Sequence, residues 1–379
     1  MGSMLLCAPN YIDLTTVTPR FGGGSWVATL SPENLNAEFF TETTRSTNAD
    51  AASTVLDIDI GATRPVGFIG IPDSNISTTG QIQFQGSSTR AWAGVTVDGA
   101  QTAGDTTLDV TAASSVTITA GDIFTIAGDD TTYQVTSGGT GTSITLTIKR
   151  VSSATAGLAA NAANAAAITC HTGDYSGSNE LFDSGTIDYY PLVYPLDGGG
   201  LSWGSIGIWT GKYSDEDFTR FNFPKQHLYI LDTTQSCQFI RITVTDTANT
   251  DGYVELMGLY VTPTFEPRYN MSYGVTFGRR SNTTSESARG GADVFEKRKG
   301  QRFVDFNLDF LNDEEAFSTL FDIDAEVDID GNLYFVYDKD DVEYLVRRSF
   351  PARFSGLSSL SANFFNNNTK AFSLVERIA

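Results

Sequence analysis

Apolar and polar residues alternate with period two along much of this chain, and few segments carry the 3.6-residue period of a helix. Early in the chain Val55, Leu56, Ile58 and Ile60 lead into a turn at Gly61. "PVGFIGI" at 65–71 then has the continuous apolar character of a buried strand, and "QIQFQ" at 81–85 alternates strictly. From Gly94 to about Cys170 the texture shifts to Thr, Ala, Ser and Gly, with no Trp and one Tyr. Short alternating segments recur there at 106–110, 116–119, 123–127, 133–136 and 144–148, separated by turns such as Gly121-Asp122 and Gly128-Asp129-Asp130. This spacing predicts a small β-sandwich or barrel. "AGLAANAANAAAIT" at 156–169 has helical propensity, but its Asn and Gly punctuation leaves a loop or short turn equally open.

Aromatic residues return after Cys170, first in "ELFDSGTIDYYPLVYPLDGGGLSWGSIGIWTGKY" and then in "FIRITVTDTANTDGYVELMGLYV" at 239–261. The second stretch reads as strand, polar turn, strand, with Glu255 as the odd acid in the second strand. Large-residue β texture thus resumes after roughly 77 residues, as when one domain hosts another in a surface loop. Beyond Thr264 a polar basic loop lies between strands, and Val304, Phe306, Leu308 and Phe310 are expected on one strand face. "NDEEAFSTLFDID" is the best helix candidate, with Asn312 as N-cap. "GNLYFVYDKDDVEYLVRRSFPARFSG" predicts a hairpin and "TKAFSLVERIA" a last strand. The expected organisation is all-β: a discontinuous domain of residues 1–93 and 171–263, an inserted β-domain at 94–170, and a β-rich C-terminal domain with a short helix at 264–379.

Composition supports this. The 379 residues suffice for two or three domains, and 36 Gly, 25 Phe and 15 Tyr in a 40% hydrophobic chain favour strands and tight turns. A net charge of −21 argues against nucleic acid and anionic membranes as partners. It suits solubility, or acidic loops that bind calcium or meet a basic partner. Cys7, Cys170 and Cys237 are too few and too far apart for a disulfide framework or a zinc site, as expected of a reducing cytosol. The apolar run from Met4 to Ala8 is too short for a signal peptide, and no stretch has the ~20 apolar residues of a membrane span.

Candidate chemistry is sparse. His171 and His227 are the only histidines, neither in a nucleophile context, and no G-x-S-x-G turn exists. Cys170-His171 at a domain seam reads as structural. In "DIDAEVDIDGN", placing Glu326, Asp328, Asp330 and Gly331 at calcium-loop positions 1, 3, 5 and 6 puts Tyr337 where the bidentate Glu belongs. That segment reads instead as a strand with a hairpin turn at Asp330-Gly331. No catalytic residue, metal ligand or cofactor is expected. "GGG" at 22–24 and 198–200 reads as turn or linker. Trp203, Trp209 and Tyr213 are close enough in sequence to form a sugar platform, with core packing as the alternative. Arg279, Arg280, Arg289, Lys297, Arg298, Lys299 and Arg302 form the one basic island, suited to an acidic neighbouring subunit.

The stretch "DIDIG", the strand at 64–71 and the hairpin expected at 239–261 together resemble the discoidin-type, galactose-binding-like jelly roll. The resemblance covers most of 1–93 and 171–263. With its insertion, and with "RFVDFNLDFLNDEEAFSTLFDID", "RRSFPARFSGLSSL" and "FSLVERI" further on, the chain is similar to minor tail and tail-tip proteins of long-tailed bacteriophages. The resemblance implies a jelly-roll β-sandwich and a non-enzymatic tail or baseplate component. Such a component is assembled in the host cytoplasm with other tail proteins, in a homo-oligomeric ring. Jelly rolls of this type also bind sugars through loops at one end. A host-surface glycan-binding adhesin is therefore the alternative, with Asp251 as the turn residue a sugar or calcium ion would meet.

Overall fold

The computed structural model describes residues 3–13, 18–36, 41–191, 193, 209, 211–214, 218, 224–287 and 289–378. The fold is all-β, with a seven-stranded sheet, a closed six-stranded barrel and an eight-stranded sheet as its main bodies. No helix among the described residues is long and apolar enough to cross a membrane.

The spine of the first body is the strand Val55–Ile71, antiparallel to His227–Thr245 on one side and to Arg20–Gly22 and Tyr260–Thr262 on the other. Gln81–Ser87 extends the sheet beyond His227–Thr245 and carries Glu180–Asp183 and Ile187–Asp188 on its far edge. Alternation along the spine sends Leu56, Ile58 and Ile60 into one core, opposite Ile242 and Ile240. A small ladder of Thr44–Arg45 and Glu255–Leu256 lies over that core with Trp26, Leu35 and Tyr190. The stretch 239–261 is therefore not a hairpin. Its first half continues His227–Thr245, its middle joins the covering ladder, and Tyr260–Thr262 returns on the opposite side of the spine.

Between Thr89 and Asp174 the incoming and outgoing chains hydrogen-bond to each other, Ala91 N–H to Thr172 O at 2.9 Å and Asp174 N–H to Thr89 O at 2.8 Å. Beyond this two-stranded neck the barrel closes in the order Gly139–Arg150, Thr107–Ile118, Val95–Val97, Ala167–Cys170, Ile123–Ile126, Asp129–Ser137. It holds its own core, including Trp92, Phe124, Tyr133 and Leu146. The segments expected at 106–110 and 116–119 fuse into the single strand Thr107–Ile118, whose partner bulges between Gly141 and Ser143. The Ala-rich run at 156–169 forms loop and then strand, not helix.

The C-terminal sheet runs Thr264–Phe265, Leu5–Cys7, Leu333–Val336, Phe350–Phe354, Asn367–Glu376, Gln301–Leu311, Thr276–Arg280, with Ser361–Phe364 paired to Asn367–Glu376. Leu5–Cys7 thus departs from the sequence-based assignment of residues 1–93 to the first body. All three of its residues are apolar and buried, which suits an interior strand covered on both faces. Asn312 caps the helical turn Glu314–Leu320 as expected: its Oδ1 accepts from Glu315 N–H at 2.7 Å, and Glu315 Oε2 accepts from Asn312 N–H at 3.0 Å. The helix continues through Phe321–Val327, so the expected strand over that acidic run is corrected to helix, and the chain then turns at Asp328 with φ 46°. Phe310 also departs from expectation. A bulge between Leu308 and Leu311 shifts the alternation, leaving Phe310 59% exposed while Leu311 takes the buried position. The hairpin Leu333–Val336 with Phe350–Phe354 forms as expected, with a short helix Leu345–Arg348 in its connection.

The two sheets meet through Leu5, Cys7, Phe68, Tyr260, Tyr334 and Val336. Close by, His227 is buried between Phe84 and Tyr189 and donates from Nδ1 to the Tyr189 carbonyl at 2.6 Å. Burial lowers its pKa from 6.5 to about 4. The folded state therefore resists a proton that the unfolded chain accepts below pH 6.5. Stability present above that pH is lost as pH falls toward 4, by on the order of 3 kcal/mol. Burial raises the carboxyls of Asp73 and Asp122, which act in the opposite sense on acidification. The expected result is that urea midpoints measured between pH 7 and pH 4 fall more for the native chain than for His227→Gln. Parallel pH profiles would contradict it.

Candidate functional site at the seam of sheet and barrel

The other face of the spine is polar at one end. Asp57 and Asp59 alternate with the apolar core residues, so period two turns both carboxylates toward the barrel. Both are buried. Arg241, paired across the ladder with Asp57, grips it in a fork: Nε to Oδ1 at 2.7 Å and Nη2 to Oδ2 at 3.0 Å. The guanidinium also stacks over Tyr175 at 4.5 Å. Burial pushes the Asp57 carboxyl up and Arg241 opposes that rise; with two donors of the fork on it, the carboxylate is the form that fits.

Asp59 orders the junction itself. Its Oδ1 accepts from Gly61 N–H at 2.8 Å and Gln238 Nε2 at 2.9 Å, and its Oδ2 meets His171 Nδ1 at 2.6 Å. His171 Nε2 reaches Thr125 Oγ1 on the barrel at 3.0 Å, so one imidazole ties the two bodies together. Gln134 adds a hydrogen bond to Gly24 O at 2.9 Å, and Arg20 donates to the Thr132 hydroxyl at 3.1 Å. The contact is close: a Cβ on Gly22 would lie 2.0 Å from the Ile123 side chain. His171 is thus structural. Cys170 beside it is buried, donates to Thr172 O at 3.5 Å, and has its thiol pushed up to about 12 by burial.

A cleft of about 540 Å³ opens along this seam, lined by Asp57, Asp122, Gln134, Lys149 and Arg241 with Gly23 and Gly24 at its wall. Asp122 Oδ2 accepts from Trp92 Nε1 at 2.9 Å and Thr119 N–H at 2.8 Å, which fixes the carboxylate against the barrel core. Burial raises Asp122 and lowers Lys149. Two acids and two cations thus face the cleft. Among the described residues no group of three or more His, Cys, Asp or Glu is arranged for a metal ion.

The residues singled out from sequence distribute differently. Trp203 and the glycines at 198–200 lie outside the described residues. Trp209 is 69% exposed, whereas Tyr213 is core: its hydroxyl donates to Glu343 O at 3.2 Å and Arg347 covers its ring at 5.3 Å. Trp209 and Tyr213 therefore share no exposed platform. Asp251 sits in the turn predicted for it, its N–H on Asn249 Oδ1 at 2.9 Å and its Oδ2 accepting from Asn75 at 3.0 Å. Gly252 supplies the left-handed φ of 74° that the turn requires, and Glu255 pairs with Arg45 at 2.9 Å. The polarity of 249–252 is turn chemistry. Arg279, Arg280, Arg289, Lys297 and Arg298 are exposed and Lys299 is half-buried. Arg302 does not belong with them, being buried against Glu376 at 2.6 Å. The seam cleft went unnoticed in sequence, although acids alternating inside an apolar strand, "LDIDI", marked a polar face needing a partner. Compared with protein families, characterised proteins and solved structures, the chain has no match.

Proposed function

We propose that this chain is a non-enzymatic structural subunit of a bacteriophage tail tip or baseplate, assembling in the virion with other tail proteins. One observation carries the assembly role. Among the described residues, twelve of the thirteen large hydrophobic side chains left exposed lie between Tyr269 and Phe365. They include Tyr273 at 94% and Phe365 at 99% exposure. So much exposed apolar surface in the C-terminal part of the chain supports contacts with other protein. The tail assignment rests on the sequence resemblance. Purified particles probed with antibody to the chain are expected to carry it at the tail; a chain recovered from lysate and absent from particles refutes the reading.

A second reading, a host-surface glycan-binding adhesin of the virion, is favoured by the seam cleft. Under it, host polysaccharide binds the purified chain with a Kd that Arg241→Ala weakens at least tenfold. Unchanged binding in that variant, or none in the native chain, removes this reading.

A further inference from the structure

Between Arg280 and Gln301 the chain leaves the body of the C-terminal sheet. Thr276–Arg280 pairs with Gln301–Leu311 from Thr276↔Asp305 to Arg280↔Gln301, and the chain then runs on past the end of that ladder. It forms a ribbon of Thr284–Ser287 and Asp293–Glu296 that pair only with each other and are exposed at every position. A two-stranded hairpin without a core is marginal alone. This one also exposes Val294 at 63% and Phe295 at 65%. The ribbon 281–299 holds four Lys and Arg against three Asp and Glu, with Arg298 paired to Glu296 at 2.8 Å. Arg279 and Arg280 at its root bring the segment 279–299 to six against three, which leaves 18 against 42 in the rest of the chain.

The complementary surface lies at the other end of the same strand. Residues 313–338 hold nine Asp and Glu and no Lys or Arg. The helical part exposes Phe317 and Phe321, four residues apart, among exposed Asp313, Glu314, Asp322 and Glu326. An acidic aromatic face thus matches a basic ribbon carrying Val294 and Phe295. They cannot meet within one molecule by way of the strand that joins them. Gln301–Leu311 places the ribbon root and the helix start at its opposite ends, about 33 Å apart at a strand rise of about 3.3 Å.

We propose that copies of this chain associate head to tail, the ribbon 281–299 of one seated on the Asp313–Glu326 helical face of the next. Opposite poles on one molecule make the interface heterologous, the kind that closes into a ring when the rotation per copy allows. The proposal deepens the structural-subunit reading by naming its self-contact.

Light scattering on the purified chain at low ionic strength should give masses that are multiples of 40.8 kDa and that fall toward the single chain in high salt. Reversing the ribbon with Arg289→Glu, Lys297→Glu and Arg298→Glu should yield monomer, as should reversing the face with Asp322→Lys and Glu326→Lys. Mixed one to one, the two reversed chains should assemble again, since each then finds its opposite. Phe295→Ser, at an exposed site, should weaken association tenfold or more and tests the contact without changing charge. A native chain that stays monomeric at about 100 µM overturns the proposal. So does a mixture that stays monomeric while both variants melt like the native chain, and so does an oligomer indifferent to every variant. That last outcome would leave a structural subunit standing, whereas absence from particles would remove the subunit reading without touching this interface.

Discussion

Arg302→Ala is expected to destabilise the chain by about 3–5 kcal/mol, the cost of breaking a buried ion pair from one side. The guanidinium is almost wholly enclosed. Nη2 bonds Glu376 Oε1 at 2.6 Å, and Nη1 donates to the carbonyls of Val346 at 3.0 Å and of Arg347 and Ser349 at 3.1 Å. Those carbonyls belong to the short helix Leu345–Arg348 and the residue after it, where a cation completes the helix end. Glu376 Oε2 in turn accepts from the Arg302 N–H at 2.8 Å. Removing the side chain leaves the buried Glu376 carboxylate without its cation and takes a donor from three carbonyls, of which those of Val346 and Ser349 keep Gln226 Nε2. Arg302→Lys should recover little, because an ammonium cannot span both sets of partners. The double variant Arg302→Met with Glu376→Leu should recover much of the loss. Urea midpoints decide it: a single-variant loss under about 1 kcal/mol would show that the pair is not the clamp described.

Phe68→Ala is expected to cost a similar amount, about 3–5 kcal/mol, for a different reason. Phe68 is fully buried where the two sheets meet, its ring 4.9 Å from Tyr334, which in turn meets Tyr260 edge-on at 5.2 Å. The cavity would open in the joint and not inside either body's own core. Stability should fall, and the two bodies should cease to unfold together. Trp26 lies in the core of the first body and Trp92 in that of the barrel, so the change in tryptophan fluorescence on unfolding can be set against far-ultraviolet dichroism. Coincident transitions together with a loss below about 1.5 kcal/mol would contradict a coupling role.

Strand content was legible because period two is written in the residues themselves, as in Gln81–Ser87 and Gln301–Leu311. The Asn312 cap was legible because it is local, its partner Glu315 lying three residues on. Long-range pairing was not. The chain 239–261 looks like a hairpin because nothing local reports that Val55–Ile71 lies between its two ends. Leu5–Cys7 is too short to declare which sheet it joins. Arg302 carried a readable signal that charge obscured: it shares its parity with Val304, Phe306 and Leu308 and is buried with them. Phe310 has that parity too, and only the bulge puts it outside. The seam cleft depends on two segments far apart in sequence, Asp57 from the sheet and Asp122 from the barrel. No local pattern could bring them together.

The placement of Leu5–Cys7 between Thr264–Phe265 and Leu333–Val336 also sets an order of events during synthesis. Leu5 pairs with Val336, about 330 positions later. At a ribosomal rate of roughly 5–20 residues per second, the first strand waits some 15–65 s for its second neighbour. The sheet bearing the ribbon and the aromatic helix therefore closes among the last parts of the molecule. A truncated product lacking Leu333–Val336 has no complete sheet from which to present its two poles, so under the head-to-tail contact proposed above unfinished chains would be kept out of the assembly by topology alone.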